Sequence, residues 1–282
     1  MSDTQFAKVA VLGAGTMGAG IAQVCAQAGS TVVLQDITDE FVQKGLARVQ
    51  AFLQKGVDRG KTTEAVRDDV LSRITITSDR KEAATGADLV VEAVPEKLEL
   101  KNGLFRELAD IVSATCVLGS NTSSLSLAKV FEGVANPERC IGMHFFNPVP
   151  LMKLLELVRT DATSQATIDS VTVYSKQLGK EPIVVKDSPG FASSRLGVCL
   201  GLEAIRMLES GVASAEDIDK AMVLGYGHPM GPLKLTDLVG LDVRLAIADY
   251  LRTELDLAGF EAPELMRKMV ADGKLGKKSG QG

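Results

Sequence analysis

The sequence has no tryptophan, and aromatic residues make up only 4% of it, a thin supply for a surface that stacks bases or sugars. It has two histidines, His144 and His228, and four cysteines, Cys25, Cys116, Cys140 and Cys199. The cysteines are far apart and form no CxxC pair, so no zinc ligand set assembles from them and no metal is expected. Scattered, buried, reduced thiols are the expectation instead. No apolar run approaches the roughly 18 residues needed to cross a bilayer. The start, MSDTQFAKVAVLGAG, lacks the basic region, apolar core and small-residue cleavage site of a secretory leader, which points to a cytoplasmic protein away from membranes. Lys and Arg (31) do not outnumber Asp and Glu (36), and the net charge is −5, so the basic face of a nucleic-acid binder is missing. No repeat of fixed period runs through the chain.

What is present is a 282-residue chain, 45% hydrophobic and 24% charged, able to bury one large core or two modest ones. Short β-branched runs at residues 8–12, 31–35, 74–77, 89–93, 116–120, 140–144, 153–158 and 182–185 read as strands. Long amphipathic stretches at 16–28, 39–58 and 98–112 separate several of them. Strand, helix, strand in repetition predicts a parallel sheet covered on both faces, and the continuous apolar runs fit such burial. After Lys186 the turn signal Asp187-Ser188-Pro189-Gly190 introduces purely helical patterns at 191–209, 214–224, 233–255 and 262–272. Ser214 with Asp217 three residues on has the form of a helix N-cap. The expectation is an α/β, doubly wound, Rossmann-like domain over 1–186 followed by an all-helical domain over 187–282. From Gly273 the chain is basic and glycine-rich with no compacting element, which reads as a flexible end or a shortened one.

The first strand runs into Gly13-Ala14-Gly15-Thr16-Met17-Gly18, which opens a helix. Gly13 permits the tight turn, Gly15 leaves room for a pyrophosphate, and Gly18 lets helix and strand pack closely. The helix start, with Thr16 and Met17, offers backbone N–H groups to the anion. Asp36 ends the second strand, 23 residues past Gly13. A carboxylate there accepts ribose hydroxyls and repels a 2′-phosphate, so NAD is favoured over NADP. The bland alternative is a glycine-rich turn without a ligand.

Further on, Ile141-Gly142-Met143-His144-Phe145-Phe146-Asn147-Pro148 places a histidine at the end of an apolar strand, where ligands of open α/β sheets bind. Glu156 follows twelve residues later inside Leu154-Leu155-Glu156-Leu157-Val158, and a carboxylate in such company is costly to bury unless paired. If the two strands are neighbours, Glu156 holds one imidazole nitrogen and leaves the other to exchange a proton. A satisfied structural histidine is the competing reading. Ser120-Asn121-Thr122-Ser123-Ser124 offers hydroxyls at the same sheet edge, or else an ordinary N-cap loop.

Together, VLGAGTMGAGIAQ, SNTSSL, IGMHFFNPV, DSPGF and HPMGPLKLTDLVGLD resemble the L-3-hydroxyacyl-CoA dehydrogenases, especially the bacterial 3-hydroxybutyryl-CoA type, over nearly the whole chain. The resemblance implies a Rossmann-like domain, a helical domain used for homodimerisation, and reversible NAD-dependent oxidation of an (S)-3-hydroxyacyl-CoA to the 3-ketoacyl-CoA. It casts His144 as general base, Glu156 as its orienting partner, Ser123 as a hydrogen-bond donor to the substrate oxygen and Asn147 as an ordering residue. It places Glu96, Lys101 and a lysine of the Lys277-Lys278 pair, taken as Lys277, beside the cofactor. Two departures stand out. Ser194 precedes Arg195 where the family commonly has an asparagine of the substrate site, and the aromatic-rich segment that usually follows the final glycine is lacking. An acyl-CoA substrate also gives meaning to Lys44, Arg48, Lys55 and Arg59, which share one face of the 39–58 helix as a phosphate stripe, interrupted if the helix breaks near Gly56. Two rivals remain: a β-hydroxyacid dehydrogenase acting on free acids, which would use a lysine of the helical domain, and a non-catalytic NAD(H)-binding relative, for which Ser194 speaks. The apolar helix at 196–208 needs covering, by its own domain or by a second copy.

Overall fold

The computed structural model describes residues 4–282. The chain divides into two compact units, one closing at Asp187 and the other running Ser188–Gly282. The first contains β1 (Lys8–Leu12), α1 (Thr16–Gln27), β2 (Thr31–Gln35), α2 (Asp39–Asp58), α3 (Glu64–Ser72), β3 (Ile74–Thr77), α4 (Arg80–Ala84) and β4 (Leu89–Glu92). It continues with α5 (Leu98–Ile111), β5 (Val117–Ser120), α6 (Leu127–Val130), β6 (Cys140–Phe145), β7 (Leu154–Arg159), α7 (Gln165–Gln177) and β8 (Glu181–Lys186). The eight strands form one sheet in the order β3-β2-β1-β4-β5-β6-β7-β8. Chain order reverses between β1 and β4, which makes the crevice at their carboxyl ends the expected ligand site.

The sheet is mixed rather than wholly parallel, because β7 runs antiparallel to β6. Residues 146–153 connect them, and that stretch is shorter than the dozen or more residues a parallel crossover needs. Burial on both faces holds for β1, β4, β5 and β6, from Val9 to Leu12 and through every residue of the other three. It fails at β8, the sheet edge, where Ile183 and Val184 are exposed; Pro182 and the flanking charges of Glu181 and Lys186 suit an unpaired edge.

Local chemistry starts the helices. Thr38 caps α2 by accepting from Phe41 N at 3.3 Å, with Asp39 and Glu40 in the first turn. Val42, Gly45, Val49 and Leu53 form its buried stripe. A Cβ on Gly45 would lie 2.6 Å from the Ala14 Cβ, so glycine there lets α2 lie against the glycine-rich turn. No break occurs at Gly56. The helices α3, α4 and α7, not expected from the sequence pattern, are capped by Thr63, Asp79 and Ser164.

The second unit contains α8 (Ser193–Glu209), α9 (Ala215–Tyr226), α10 (Pro232–Val239), α11 (Leu241–Leu255) and α12 (Glu264–Ala271). Val198, Leu202, Ile205, Ala248, Leu251, Phe260 and Met266 make its core. Ser214 caps α9 by accepting from Asp217 N at 3.2 Å. The single helix expected over 233–255 is two, because Gly240 takes φ +107°, a conformation that ends the helix and that glycine adopts freely. The C-terminal stretch is not a loose end: Gly276 bridges to Gln281, and Lys277 N donates to Asp237 O at 2.9 Å.

All four cysteines are free thiols, and Cys199 on α8 is exposed, against the expectation that all four would be buried. Burial pushes the thiols of Cys25, Cys116 and Cys140 up to about 12. The thiolate is the reacting species, so at pH 8 these three are almost wholly protonated as well as shielded. An aromatic disulfide reagent at pH 8 should therefore modify Cys199 alone in the folded protein and all four thiols in guanidinium chloride, counted by mass spectrometry.

Candidate active site

Strand register lines up Gln35, Leu12, Glu92, Ser120 and Gly142 across β2, β1, β4, β5 and β6. The glycine-rich turn, Asp36, the 120–124 cluster and His144 lie at or just beyond that row, at the carboxyl ends of the parallel strands.

At the β1–β4 crevice, Gly13 takes φ +98°, and a Cβ there would stand 2.5 Å from Ala93 O. A Cβ on Gly18 would stand 1.7 Å from Gly13 O, whereas one on Gly15 would meet nothing within 4 Å. Two of the three glycines thus close the turn, and the third keeps space open in front of the α1 N-terminus. That terminus has no side-chain cap and no acidic residue in its first turn, so its N–H groups suit an anion. Asp36 accepts from Ala14 N and Ile37 N, both at 2.7 Å. Each carboxylate oxygen keeps a lone pair for a ribose hydroxyl. A cleft of about 950 Å³ opens here, lined among others by Gly15, Thr16, Met17, Asp36, Val94 and Leu100. These features fit a dinucleotide. Arg80, paired with Glu107, forms part of the wall.

His144 and Glu156 face each other directly across the β6–β7 pair, so their side chains share a face. Glu156 Oε2 lies 2.7 Å from His144 Nδ1, with the histidine 6% exposed and the glutamate 0%. The Phe146 ring rests on the imidazole at 4.4 Å between centroids. Nδ1 is thereby committed to the carboxylate. Asn147 is exposed at the start of the loop 146–153. Beneath that loop, buried Lys180 donates to Val149 O at 2.5 Å and to Met152 O at 2.8 Å, and burial lowers its pKa.

Ser123 meets Glu96 through its backbone, its N–H donating to Oε1 at 3.0 Å, while Glu96 Oε2 lies 3.1 Å from Lys101 Nζ. The structure adds a residue that the sequence did not single out, Glu92, and gives Ser120 of the hydroxyl cluster a partner in it. Glu92 accepts from Lys101 Nζ at 2.6 Å, and from Ser120 Oγ at 2.6 Å. The available signal was the one used for Glu156, an acidic residue closing an apolar strand, with a lysine nine residues on.

The remaining sequence candidates are on or next to α2 and in the second unit. On α2, Lys44 pairs with Glu40 at 2.5 Å and Arg48 donates to Ala14 O at 3.2 Å, while Lys55 and Arg59 are exposed. Ser194 stands half-buried in the first turn of α8, and Lys277 is exposed in the C-terminal turn of the second unit. Among the described residues no three His, Cys, Asp or Glu side chains are grouped to hold a metal ion.

The sequence matches the family description "3-hydroxyacyl-CoA dehydrogenase, NAD binding domain" over residues 8–188 and "3-hydroxyacyl-CoA dehydrogenase, C-terminal domain" over 190–282. It is 45% identical to a probable 3-hydroxybutyryl-CoA dehydrogenase of Deinococcus radiodurans, covering 98% of each chain. It is 43% identical to the human mitochondrial hydroxyacyl-coenzyme A dehydrogenase, over 97% of this chain and 89% of that one. The crystal structure of (S)-3-hydroxybutyryl-CoA dehydrogenase from Ralstonia eutropha superposes with a TM-score of 0.94 at 44% identity, covering 98% of both.

Replacing Asp36 by Ala removes the acceptor of two backbone N–H groups and the carboxylate expected to meet the ribose. NADH affinity, followed by fluorescence titration, should fall at least about tenfold, or about 1.4 kcal/mol, and discrimination against NADPH should narrow.

Proposed function

The chain belongs to the 3-hydroxyacyl-CoA dehydrogenase family, and from that premise and the buried His144–Glu156 pair we propose how it oxidises a 3-hydroxyacyl-CoA to the 3-ketoacyl-CoA with NAD. Its relatives' names favour (S)-3-hydroxybutyryl-CoA as the substrate. His144 Nε2 takes the proton of the 3-hydroxyl as the C3–H bond breaks, and returns it in the reverse direction. Glu156, fixed at 2.7 Å on Nδ1, holds the tautomer that leaves Nε2 as acceptor and stabilises the imidazolium that forms. The Ser123 hydroxyl donates to the substrate oxygen, and Asn147 orders the loop beside it. NAD bound in the cleft supplies the acceptor for the hydride that leaves C3. Gly13, Gly15, Thr16, Met17 and Gly18 cradle its pyrophosphate, and Asp36 its ribose. Glu96, Lys101 and Lys277 complete the cofactor contacts. The single observation that carries this reading is a histidine at a strand's carboxyl end, bonded to a carboxylate with no exposure to water.

Lys55 and Arg59, the two stripe cations with neither an acidic partner nor a backbone bond, receive the CoA phosphates in this reading, and Ser194 contributes to the substrate site. The protein works as a cytoplasmic homodimer: Leu196, Leu224 and Tyr226 of the second unit are 71%, 80% and 78% exposed, which suits contact with a second copy. Free thiols suit a reducing compartment. No helix among the described residues is long and apolar enough to cross a membrane.

With acetoacetyl-CoA and NADH, followed at the NADH absorbance, the wild-type chain should turn over and His144→Gln should lose at least about 10²-fold in kcat. NADH bound by the wild type without turnover would instead identify a non-catalytic relative. Higher activity on free 3-hydroxyisobutyrate than on the thioester would identify a dehydrogenase of free acids. Lys55→Ala with Arg59→Ala should raise KM for the CoA thioester while kcat stays near wild type; unchanged KM would remove the stripe from the substrate site.

A further inference from the structure

Apart from the pair that handles the proton, the most demanding group in the first unit is Glu92. It ends β4 with 0% exposure, and Lys101 on α5 is 1% exposed. Taking both ions out of water is costly, and an apolar pair of similar volume would tie β4 to α5 without that cost. What the charges add is direction. Glu92 Oε1 accepts from Lys101 Nζ at 2.6 Å and from Val94 N at 2.7 Å, and Oε2 accepts from Ser120 Oγ at 2.6 Å.

Two arms leave this carboxylate. One passes through Lys101 Nζ to Glu96 Oε2 at 3.1 Å, and from Glu96 Oε1 to Ser123 N at 3.0 Å and to the Thr122 hydroxyl. The other passes through Ser120 Oγ, which accepts from Thr122 N at 3.3 Å. Both end on the segment 120–124. Within it, Asn121 Oδ1 accepts from Phe145 N at 2.9 Å, next to His144.

We propose that Glu92 is a positioning residue for the reaction: through the converging arms Lys101–Glu96 and Ser120–Thr122 it sets where Ser123 stands relative to His144. The proposal rests on the reading that Ser123 contacts the substrate oxygen. All three groups facing the carboxylate donate, so a carboxamide of the same size has to turn its NH2 toward one of them. Glu92→Gln therefore keeps the volume and misdirects at least one arm, while the His144–Glu156 pair is untouched.

The test is steady-state kinetics of the full chain with acetoacetyl-CoA and NADH, for Glu92→Gln, Ser120→Ala, their double variant and Ser123→Ala. Thermal melts of each are recorded alongside. Glu92→Gln should lower kcat at least tenfold, with KM for acetoacetyl-CoA within threefold of wild type and the pH dependence of kcat keeping its midpoint. Ser120→Ala should lower kcat three- to fivefold with an unchanged melting temperature. The double variant should be no slower than Glu92→Gln, because both changes act on one segment and are not independent. A purely structural role predicts lower melting temperatures, no separation of kcat from KM, and effects that multiply; that pattern overturns the proposal. If Glu92→Gln does not fold, Ser120→Ala decides, and wild-type kcat there overturns it. An impaired Ser123→Ala beside unimpaired Glu92→Gln and Ser120→Ala refutes the positioning role alone. A fully active Ser123→Ala refutes the reading beneath it, and the proposal with it.

Discussion

Glu156 has no contact with solvent, and a carboxylate in that position has to find a donor inside the protein or forfeit the free energy of its hydration. The donor it finds is His144 Nδ1 at 2.7 Å, and much else at the catalytic end follows from that demand. The two residues meet because β7 turns back antiparallel on β6 with 144 opposite 156. A one-residue slip in that register would send one of them to the opposite face of the sheet. The loop that makes the turn is held from below by the buried Lys180 ammonium on two of its carbonyls. Buried ionisable groups therefore brace this hairpin twice, Glu156 on β7 against the histidine and Lys180 beneath the loop.

The cofactor end is built on different physics. No buried charge pair fixes the glycine-rich turn; exclusion does. Gly13 and Gly18 stand where any Cβ would run into backbone, and Gly45 lets α2 lie against Ala14. The Asp36 carboxylate then ties the turn to the end of β2, accepting from Ala14 N and from Ile37 N. Between these two ends lie Glu92, Lys101, Glu96 and Ser120, a polar network on the strand row that joins them. Glu92, Lys101 and Ser120 are buried and Glu96 is exposed, and the directed hydrogen bonds among them favour one arrangement of the loops they join.

Most of the local structure was legible in the residues. The strand starts, the cap at Ser214, the GxGxxG turn and Asp36 depend on neighbours within a few positions, and backbone sterics and side-chain hydrogen bonds act at that range. The errors have physical causes as well. The direction of β7 was misjudged by strand pattern, though the eight residues joining it to β6 already forbade a parallel crossover. The helix over 233–255 was read through Gly240 because its apolar periodicity continues on both sides. Of the four cations on the α2 face, Lys44 is taken by Glu40 one helical turn before it, a pairing that periodicity does reveal, and Arg48 by the Ala14 carbonyl, a contact that it does not.

The sequence by itself determined the family, the glycine-rich turn that joins β1 to α1 and a carboxylate at the end of β2, because each is written in residues close together in the chain or in motifs specific enough to recognise. Only the tertiary structure decided that His144 and Glu156 share one face, that Glu92 draws Lys101 and Ser120 onto a single carboxylate, and that Ser123 is tied through its backbone to Glu96. Those meetings depend on register between strands and on which helix crosses which strand end. Such long-range choices follow from burying the whole apolar surface at once, and no single segment of the sequence states them.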